Sequence, residues 1–203
     1  MVKAATFWRS WATGGKKQRG IAKDLFKATR ASDSFRQVQE SCEYLKQNQN
    51  LPRFVAQTLW DGLVCGYDRP FGDNKNIGPA NWLKIPPELK SKHDLLRKLR
   101  NEVVAHDNPG AFASAVRGGS NQLRLRKSTS GWQTRTLRIA PWSDIELLDE
   151  VARLATLLHK QADAREQQFL DDLKPPITQE NGEWTVNVAD DSKPLFQRER
   201  PLP

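Results

Sequence analysis

Apolar residues recur at helical spacing in four stretches of this chain, and breaks rich in Pro, Gly and Asn separate these stretches. In the first stretch, Phe35, Val38, Cys42 and Leu45 follow one another at intervals of three or four residues, which places them on one face of a helix. The other three stretches are 53–66, 87–105 and 143–172. Helices with one apolar face bury that face against each other. The sequence therefore predicts a mainly α-helical protein, folded as an up-and-down helical bundle.

Polar and turn-forming residues set the boundaries of the predicted elements. Ser32 and Asp33 before the first stretch, and Ser143 before the last, are typical helix N-cap residues. Residues 1–20 are predicted to be irregular, and the Gly-, Pro- and Asn-rich segment 67–85 is predicted to be a long loop. The predicted divisions are a basic N-terminal arm, a helical bundle and a Pro-rich C-terminal tail, at 1–32, 33–172 and 173–203.

Two segments have a pattern typical of strands. In 112–140, the runs FASAVR, QLRLRKS and WQTRTLRI alternate in polarity and are separated by GGSN and TSG. Runs that alternate between polar and apolar residues, with turn-forming residues between the runs, are typical of short antiparallel strands. We therefore expect a small antiparallel β-hairpin insertion at 112–140, and one short strand at 183–188 in the tail.

Composition excludes several classes of protein. No stretch approaches the roughly 18 apolar residues of a membrane span, and the N-terminus lacks the apolar core of a secretory signal. Cys42 and Cys65 are the only cysteines, too few for a disulfide framework or a cysteine-based metal cluster. We expect a cytoplasmic protein that makes no membrane contact and needs neither a metal nor a cofactor.

Basic residues are concentrated in two segments of a chain whose net charge is +8. Residues 1–30 hold eight basic residues and one acidic residue, and residues 117–138 hold six basic residues and no acidic one, so the remainder is net −5. Basic patches on an acidic body point to a nucleic acid or another phosphate-rich partner. The candidate substrate-binding residues in the second patch are Arg124, Arg126, Lys127 and Arg135.

One cluster of residues has the chemistry of a reactive site. Arg100, Asn101 and His106 lie together at the C-terminal end of the predicted helix 87–105. A guanidinium group is a planar, permanently charged donor for phosphate oxygens, and an imidazole takes up or releases a proton near neutral pH. Asn101 can orient a phosphate or the histidine ring. The cluster therefore points to phosphoryl chemistry.

The same three residues resemble the signature of the HEPN superfamily (higher eukaryotes and prokaryotes nucleotide-binding). That signature is an Arg, often followed by a polar residue, with four to six residues between the Arg and a His at the end of a bundle helix. Here Asn101 follows Arg100, and five residues separate Arg100 from His106. In detail the motif looks like that of the abortive-infection-related branch, in which Arg-Asn is followed by a small apolar turn and Ala-His. The segments YDRPFG (67–72) and IPPELKSKHDLL (85–96) also resemble such proteins.

The resemblance covers about 33–170 and implies a metal-independent endoribonuclease. It implies a homodimer in which Arg100 and His106 of each chain face each other across a groove. The ribose 2′-OH would attack the adjacent phosphate, with His106 as general acid or base and Arg100 stabilising the charge on the phosphate oxygens. Asn101 would orient the phosphate or His106. The implied role is a toxin or antiphage effector, with RNA as substrate and an antitoxin or other protein as partner.

A different interpretation of these residues is purely structural. Arg100 could pair with Asp94 or Glu102, and His106 could cap the C-terminal end of the helix. The protein would then be a non-catalytic HEPN-like module that binds nucleic acid or a protein partner.

Three further residues are candidates for substrate binding. His93 lies on the same predicted helix as Arg100 and is either a substrate-binding or a core histidine. Tyr67 and Arg69 lie in the predicted loop and either contact substrate or anchor that loop. The third histidine, His159, is predicted to be structural.

Overall fold

The protein is mainly helical in the computed structural model, which describes residues 15–72, 78–101, 123–128, 131–136, 141–173, 182–186, 188 and 195–201. The α-helices are α1 (Lys16–Gln47), α2 (Arg53–Asp68), α3 (Lys90–Leu99) and α4 (Ile145–Leu173). The strands are β1 (Leu123–Ser128), β2 (Gly131–Thr136), β3 (Gly182–Val186) and β4 (Phe196–Pro201). Short 3-10 turns lie at Arg69–Phe71, Pro87–Leu89 and Pro141–Ser143.

The chain divides into two compact units. Two of the boundaries between these units fall within helices, one in α1 and the other in α4. The first unit comprises Met1–Asp33, Pro70–Leu83 and Lys160–Pro203. The second unit comprises Ser34–Arg69 and Lys84–His159. In the part of the chain that the structure describes, none of the helices combines the length and apolar character needed to cross a membrane.

The second unit is a helical bundle with an apolar core. The predicted stripe on α1 is confirmed, because Phe35, Val38, Cys42 and Leu45 are each at most 1% exposed. The large side chains buried on the other helices of this unit include Trp60, Leu63, Tyr67, Leu96, Leu99, Leu148, Leu154 and Leu158. Burying a side chain the size of Leu contributes about 1.5–3 kcal/mol. The core therefore fixes the helices that carry the candidate site.

Helix α1 begins at Lys16, so the predicted N-cap at Ser32 and Asp33 is wrong. Both residues lie inside the helix, because the chain upstream of them contains no Pro and continues the apolar face. That face continues through Ala22, Ala28 and Ala31. At the helix start, the backbone N–H of Gly15 donates to the side-chain oxygen of Gln18 at 2.9 Å, which is one half of a capping box. The described part of the predicted irregular arm is therefore helical.

The first unit has a small apolar cluster of its own. Ala22 and Leu195 are buried there, and the partly buried residues Ile21, Leu25, Val186 and Val188 pack against them. The side-chain oxygen of Ser32 donates to Asp163 of α4 at 2.6 Å. The polar residue that resembled a helix cap therefore joins α1 to α4.

The described tail residues form two strands. The predicted strand at 183–188 corresponds to β3, which pairs antiparallel with β4 and has an irregularity between Glu183 and Trp184. Strand β4 was not predicted, since its sequence FQRERP is strongly charged and ends in Pro. Pairing with β3, rather than local preference, explains it.

Two helix ends differ from prediction. Asp144, not Ser143, caps α4, because the backbone N–H of Leu147 donates to the Asp144 carboxylate at 3.0 Å. Helix α2 extends to Asp68, so Tyr67 lies in its last turn rather than in a loop. The 3-10 turn Arg69–Phe71 follows α2 directly, so the irregular segment begins after Phe71 rather than at Tyr67.

Strands β1 and β2 pair antiparallel within the segment for which a β insertion is predicted. Arg124 lies opposite Arg135, and Lys127 lies opposite Trp132. The other residues of 112–140 lie outside the described part of the chain, so the full insertion remains a prediction.

Candidate functional site

The last turn of α2 lies beside α3, and polar residues of both helices meet there. Tyr67 and Asp68 are the final two residues of α2. His93, Arg97 and Arg100 follow one another at intervals of four and three residues, which places them along one face of α3 and its continuation. The sequence thus brings two polar residues of one helix to a row of three on the next.

The deepest part of this cluster is a hydrogen bond between Tyr67 and His93. The hydroxyl oxygen of Tyr67 lies 2.7 Å from Nδ1 of His93. Tyr67 is fully buried and His93 is 6% exposed. Their rings meet edge to face, with centroids 5.8 Å apart. This contact ties α2 to α3 inside the bundle.

Burial determines the protonation of both rings. It raises the pKa of the Tyr67 phenol and lowers the pKa of the His93 imidazole. The ammonium of Lys90 lowers the pKa of His93 further. Both rings are therefore neutral near pH 7. We assign Tyr67 as donor to Nδ1, which leaves the ring proton of His93 on Nε2.

Tyr67 and His93 were both predicted as candidates for substrate binding. Their burial places them beneath the surface instead, where they support the helices. The structure thus favours the core interpretation for His93 and a packing role for Tyr67.

Above this hydrogen bond, the carboxylate of Asp68 binds two arginines. Nε of Arg97 donates to Oδ1 of Asp68 at 3.1 Å, and Nε of Arg100 lies 3.4 Å from Oδ2. The Asp68 side chain is 9% exposed, whereas those of Arg97 and Arg100 are 43% and 46% exposed. A nearly buried carboxylate therefore holds two half-exposed guanidinium groups at the end of α3.

Arg100 also contacts its neighbour. Its Nη1 donates to Oδ1 of Asn101 at 2.9 Å, and both residues are exposed. They follow α3 in a wider turn of the π type. Arg100 pairs with Asp68 rather than with Asp94, which was one of the two partners considered for it. Asp94 pairs with Lys90, which holds the pKa of that carboxyl below its usual value. The other two expectations concern Glu102 and His106, which lie outside the described residues.

The arrangement is suited to binding an anion. Two guanidinium groups and one carboxylate carry a net charge of +1, and guanidinium N–H groups match the oxygens of a phosphate. Within the described ranges, no group of three or more His, Cys, Asp or Glu side chains is placed to hold a metal ion.

Arg69, which directly follows Asp68, and the candidates in β1 and β2 are the remaining predicted site residues. Arg69 is exposed in the turn after α2, at one side of an open groove of about 490 Å³ between α1 and α2. Tyr44, Gly62 and Gly66 line the same groove. For the candidates in β1 and β2, the structure describes the backbone alone; these are Arg124, Arg126, Lys127 and Arg135.

Two residues of the cluster were missed by the sequence reasoning. Arg97 carries a usable signal, since it lies three residues before Arg100 and hence on the same helix face. Asp68 carries almost no such signal in the sequence, because only the folded chain brings the end of α2 to α3. The adjacent Tyr67 had been singled out for another reason.

Comparison of the chain with models of protein families, with curated proteins and with solved structures gives no match. Fold and site alone define the class of this protein, which is a mainly helical protein with a paired-arginine cluster at the end of α3.

Proposed function

We propose that the protein is a metal-independent endoribonuclease of the HEPN type. The observation that carries the proposal is the position of Arg100, a half-exposed guanidinium held by Asp68 at the end of a bundle helix. Asn101 follows it, and His106 completes the Arg–Asn–His motif in the sequence. A fixed cation beside a residue able to transfer a proton is the minimum that RNA transesterification needs.

The proposed reaction needs only RNA and the protein. The ribose 2′-oxygen attacks the adjacent phosphorus and loses its proton to a base, and the bond from phosphorus to the 5′-oxygen breaks as that oxygen gains a proton. The products are a 2′,3′-cyclic phosphate and a 5′-hydroxyl. His106 is the proposed general acid or base, and Arg100 neutralises charge on the non-bridging oxygens. DNA is not cleaved because it lacks the 2′-OH.

Two copies of the motif supply both an acid and a base, so the proposal includes a homodimer. We further propose that the chain folds as an up-and-down HEPN-like bundle with a β-hairpin insertion. We propose that the protein is cytoplasmic and acts as a toxin or antiphage effector. Sedimentation of the purified protein tests the dimer, and a monomer at cleaving concentrations contradicts the composite site.

Cleavage of single-stranded RNA in EDTA tests the proposed reaction. We expect the wild type to cut and to leave cyclic phosphate ends, while Arg100→Ala and His106→Ala abolish cutting and stay folded by circular dichroism. Arg153→Ala is the matched control, because Arg153 is exposed and lies 3.7 Å from Glu88 on another part of the surface. Retained cleavage in both Arg100→Ala and His106→Ala rejects this site.

A second candidate function is nucleic-acid binding without cleavage, and α1 supports it. At 3.6 residues per turn, five basic residues of α1 fall within an arc of roughly 80°. These residues are Lys16, Arg19, Lys23, Lys27 and Arg30. The arc lies opposite the face that buries Ala28 and spans about 21 Å of helix at 1.5 Å per residue. Such a stripe suits the phosphates of an extended strand.

Binding measured against salt concentration tests this second function. The double variant Lys16→Glu and Lys23→Glu should weaken RNA binding and flatten its salt dependence. Charge reversal of Arg124 and Arg126 tests the predicted hairpin in the same way. Lys160→Glu, at an exposed position on α4, is the control. If neither double variant alters binding, the basic segments are not the binding surface.

A further inference from the structure

The groove between α1 and α2 has the size of a ligand pocket and is open at its centre. Its volume is about 490 Å³, and small-molecule pockets range from about 300 to 1,000 Å³. Gly62 creates the opening, because a Cβ added there would meet no described atom within 4 Å outside its own stretch of α2. At Gly66, one turn further on, an added Cβ would lie 3.7 Å from Cγ2 of Val38, so α1 and α2 close the floor of the groove there.

The wall that α1 contributes combines one aromatic ring with hydrogen-bonding groups. Its lining residues are three or four positions apart or adjacent, so they share one face of α1. These residues are Gln37, Glu40, Ser41 and Tyr44. From the first to the last of them the helix rises roughly 10 Å at 1.5 Å per residue. An aromatic ring at one end, with polar groups one and two turns away, suits a ligand that is flat and has hydrogen-bonding edges.

Tyr44 and Glu40 together match the base of a nucleotide. Tyr44 is 48% exposed, and bases of single-stranded RNA stack on exposed aromatic rings while their Watson–Crick edges are hydrogen-bonded. Glu40 lies one helical turn before Tyr44, and an ionised carboxylate only accepts hydrogen bonds. Guanine presents two adjacent N–H donors on its Watson–Crick edge, whereas uracil presents one N–H between two carbonyl oxygens. The pair therefore favours guanine over uracil.

One end of the groove adjoins the arginine cluster. Arg69 lines the groove and directly follows Asp68, which binds Arg100. Burial raises the pKa of the Cys65 thiol, and the charges of Arg100 and Arg69 both oppose this rise, so both guanidinium groups lie near the same sulfur. The carboxylates of Asp61 and Asp68 act on the thiol in the opposite sense, so charge alone does not select a ligand here. An RNA strand with a phosphate at Arg100 can place a neighbouring base in the groove.

We propose that the groove between α1 and α2 binds one guanine base of single-stranded RNA, with Tyr44 stacking on the base and Glu40 accepting hydrogen bonds from its Watson–Crick edge. This inference rests on the proposed function, because it names a base of the RNA substrate. It adds a base-specific subsite beside Arg100, and it places the cleaved phosphate next to a guanosine.

Binding of two 2′-O-methyl RNA strands, UUGUU and UUUUU, measures the base preference apart from catalysis, since neither strand has a free 2′-OH to be cleaved. By fluorescence anisotropy, the wild type should bind UUGUU with a Kd about tenfold lower, equivalent to about 1.4 kcal/mol. Tyr44→Ala should abolish this preference, whereas Tyr44→Phe, which keeps the ring, should retain it. Glu40→Gln should reduce the preference, because the amide turns one acceptor into a donor.

Gly62→Leu tests the groove without removing any contact of the core. Leucine is a better helix former than glycine, and the space above Gly62 accepts its Cβ. We expect this variant to be at least as stable as the wild type in urea and to bind UUGUU no better than UUUUU. Gly20→Leu is the matched control, because Gly20 is also an exposed helical glycine with open space around an added Cβ, and it lies on α1 outside the groove. It should keep the preference for UUGUU.

The outcomes separate this inference from the proposed function. Cleavage of unmodified RNA by the wild type, with equal affinity for both strands or a preference that survives Gly62→Leu, overturns the inference and leaves the endoribonuclease proposal standing. A preference that Gly62→Leu removes, without cleavage of unmodified RNA by the wild type, supports the guanine subsite and rejects the endoribonuclease. If Gly62→Leu turns a dimer into a monomer in sedimentation and keeps the preference, the groove is an interface between copies and the inference is overturned.

Discussion

Replacing Tyr67 with Phe removes one oxygen atom from the centre of the bundle and little else. The Phe ring keeps the edge-to-face contact with His93, whose centroid is 5.8 Å away, and the contact with Phe35 at 5.9 Å. The hydrogen bond to Nδ1 of His93 is lost. The substitution therefore removes the Tyr67 hydroxyl while keeping the printed ring contacts.

The expected cost follows from burial at both ends of that bond. Tyr67 is fully buried and His93 is nearly so, and water cannot replace the phenol as partner of Nδ1 without opening the core. A buried polar atom that loses its partner costs about 1–3 kcal/mol. For a chain of this length, about 2 kcal/mol corresponds to a fall in Tm of roughly 4–8 °C.

Urea denaturation followed by circular dichroism measures the free energy of unfolding for this variant. Tyr44→Phe is the matched control, because Tyr44 is the only other tyrosine and is 48% exposed. We expect it to change stability by less than about 0.5 kcal/mol. If Tyr67→Phe is as harmless as Tyr44→Phe, the hydrogen bond between Tyr67 and His93 does not stabilise the packing of α2 on α3.

Two further predictions concern stability. Burial lowers the pKa of His93 from 6.5, so the unfolded chain takes up this proton first, and the free energy of unfolding falls as the pH drops below 6.5. The stability gap between wild type and His93→Gln should therefore narrow as the pH falls to about 5, and a constant gap contradicts the buried neutral ring. Asp144→Ala should destabilise the protein by about 0.5–2 kcal/mol through loss of the cap at α4. Ser143→Ala should cost less, and the reverse order in urea denaturation shows the cap to be misassigned.

Periodicity predicted the bundle because each core helix of the second unit has an apolar face of its own. The stripe from Phe35 to Leu45 could be recognised without knowing what covers it, and all four of its residues are buried. The spacing of apolar residues is a local property, so it can be recognised from the sequence alone.

The start of α1 could not be predicted in the same way. Ala22, Ala28 and Ala31 are buried, but Ala is a weak marker of an apolar face, and the basic residues between them resemble a solvated arm. Ser32 and Asp33 are common at helix N-caps, yet inside α1 the side chain of Ser32 binds Asp163, more than a hundred residues away. Burial of the upstream alanines thus continues the helix through residues that have a local preference for a cap.

The candidate site shows the same difference between local and long-range information. Arg100 and Asn101 belong to a motif with fixed spacing, so they could be predicted. Asp68 contacts Arg100 from another helix, and the spacing of the motif does not reveal it. This difference has a physical consequence for the proposed function. An exposed arginine gives up about 0.5–1.5 kcal/mol of side-chain freedom when it binds a ligand. Asp68 takes up part of that cost during folding, so the residue that the motif omits is the one expected to set how strongly the motif binds phosphate.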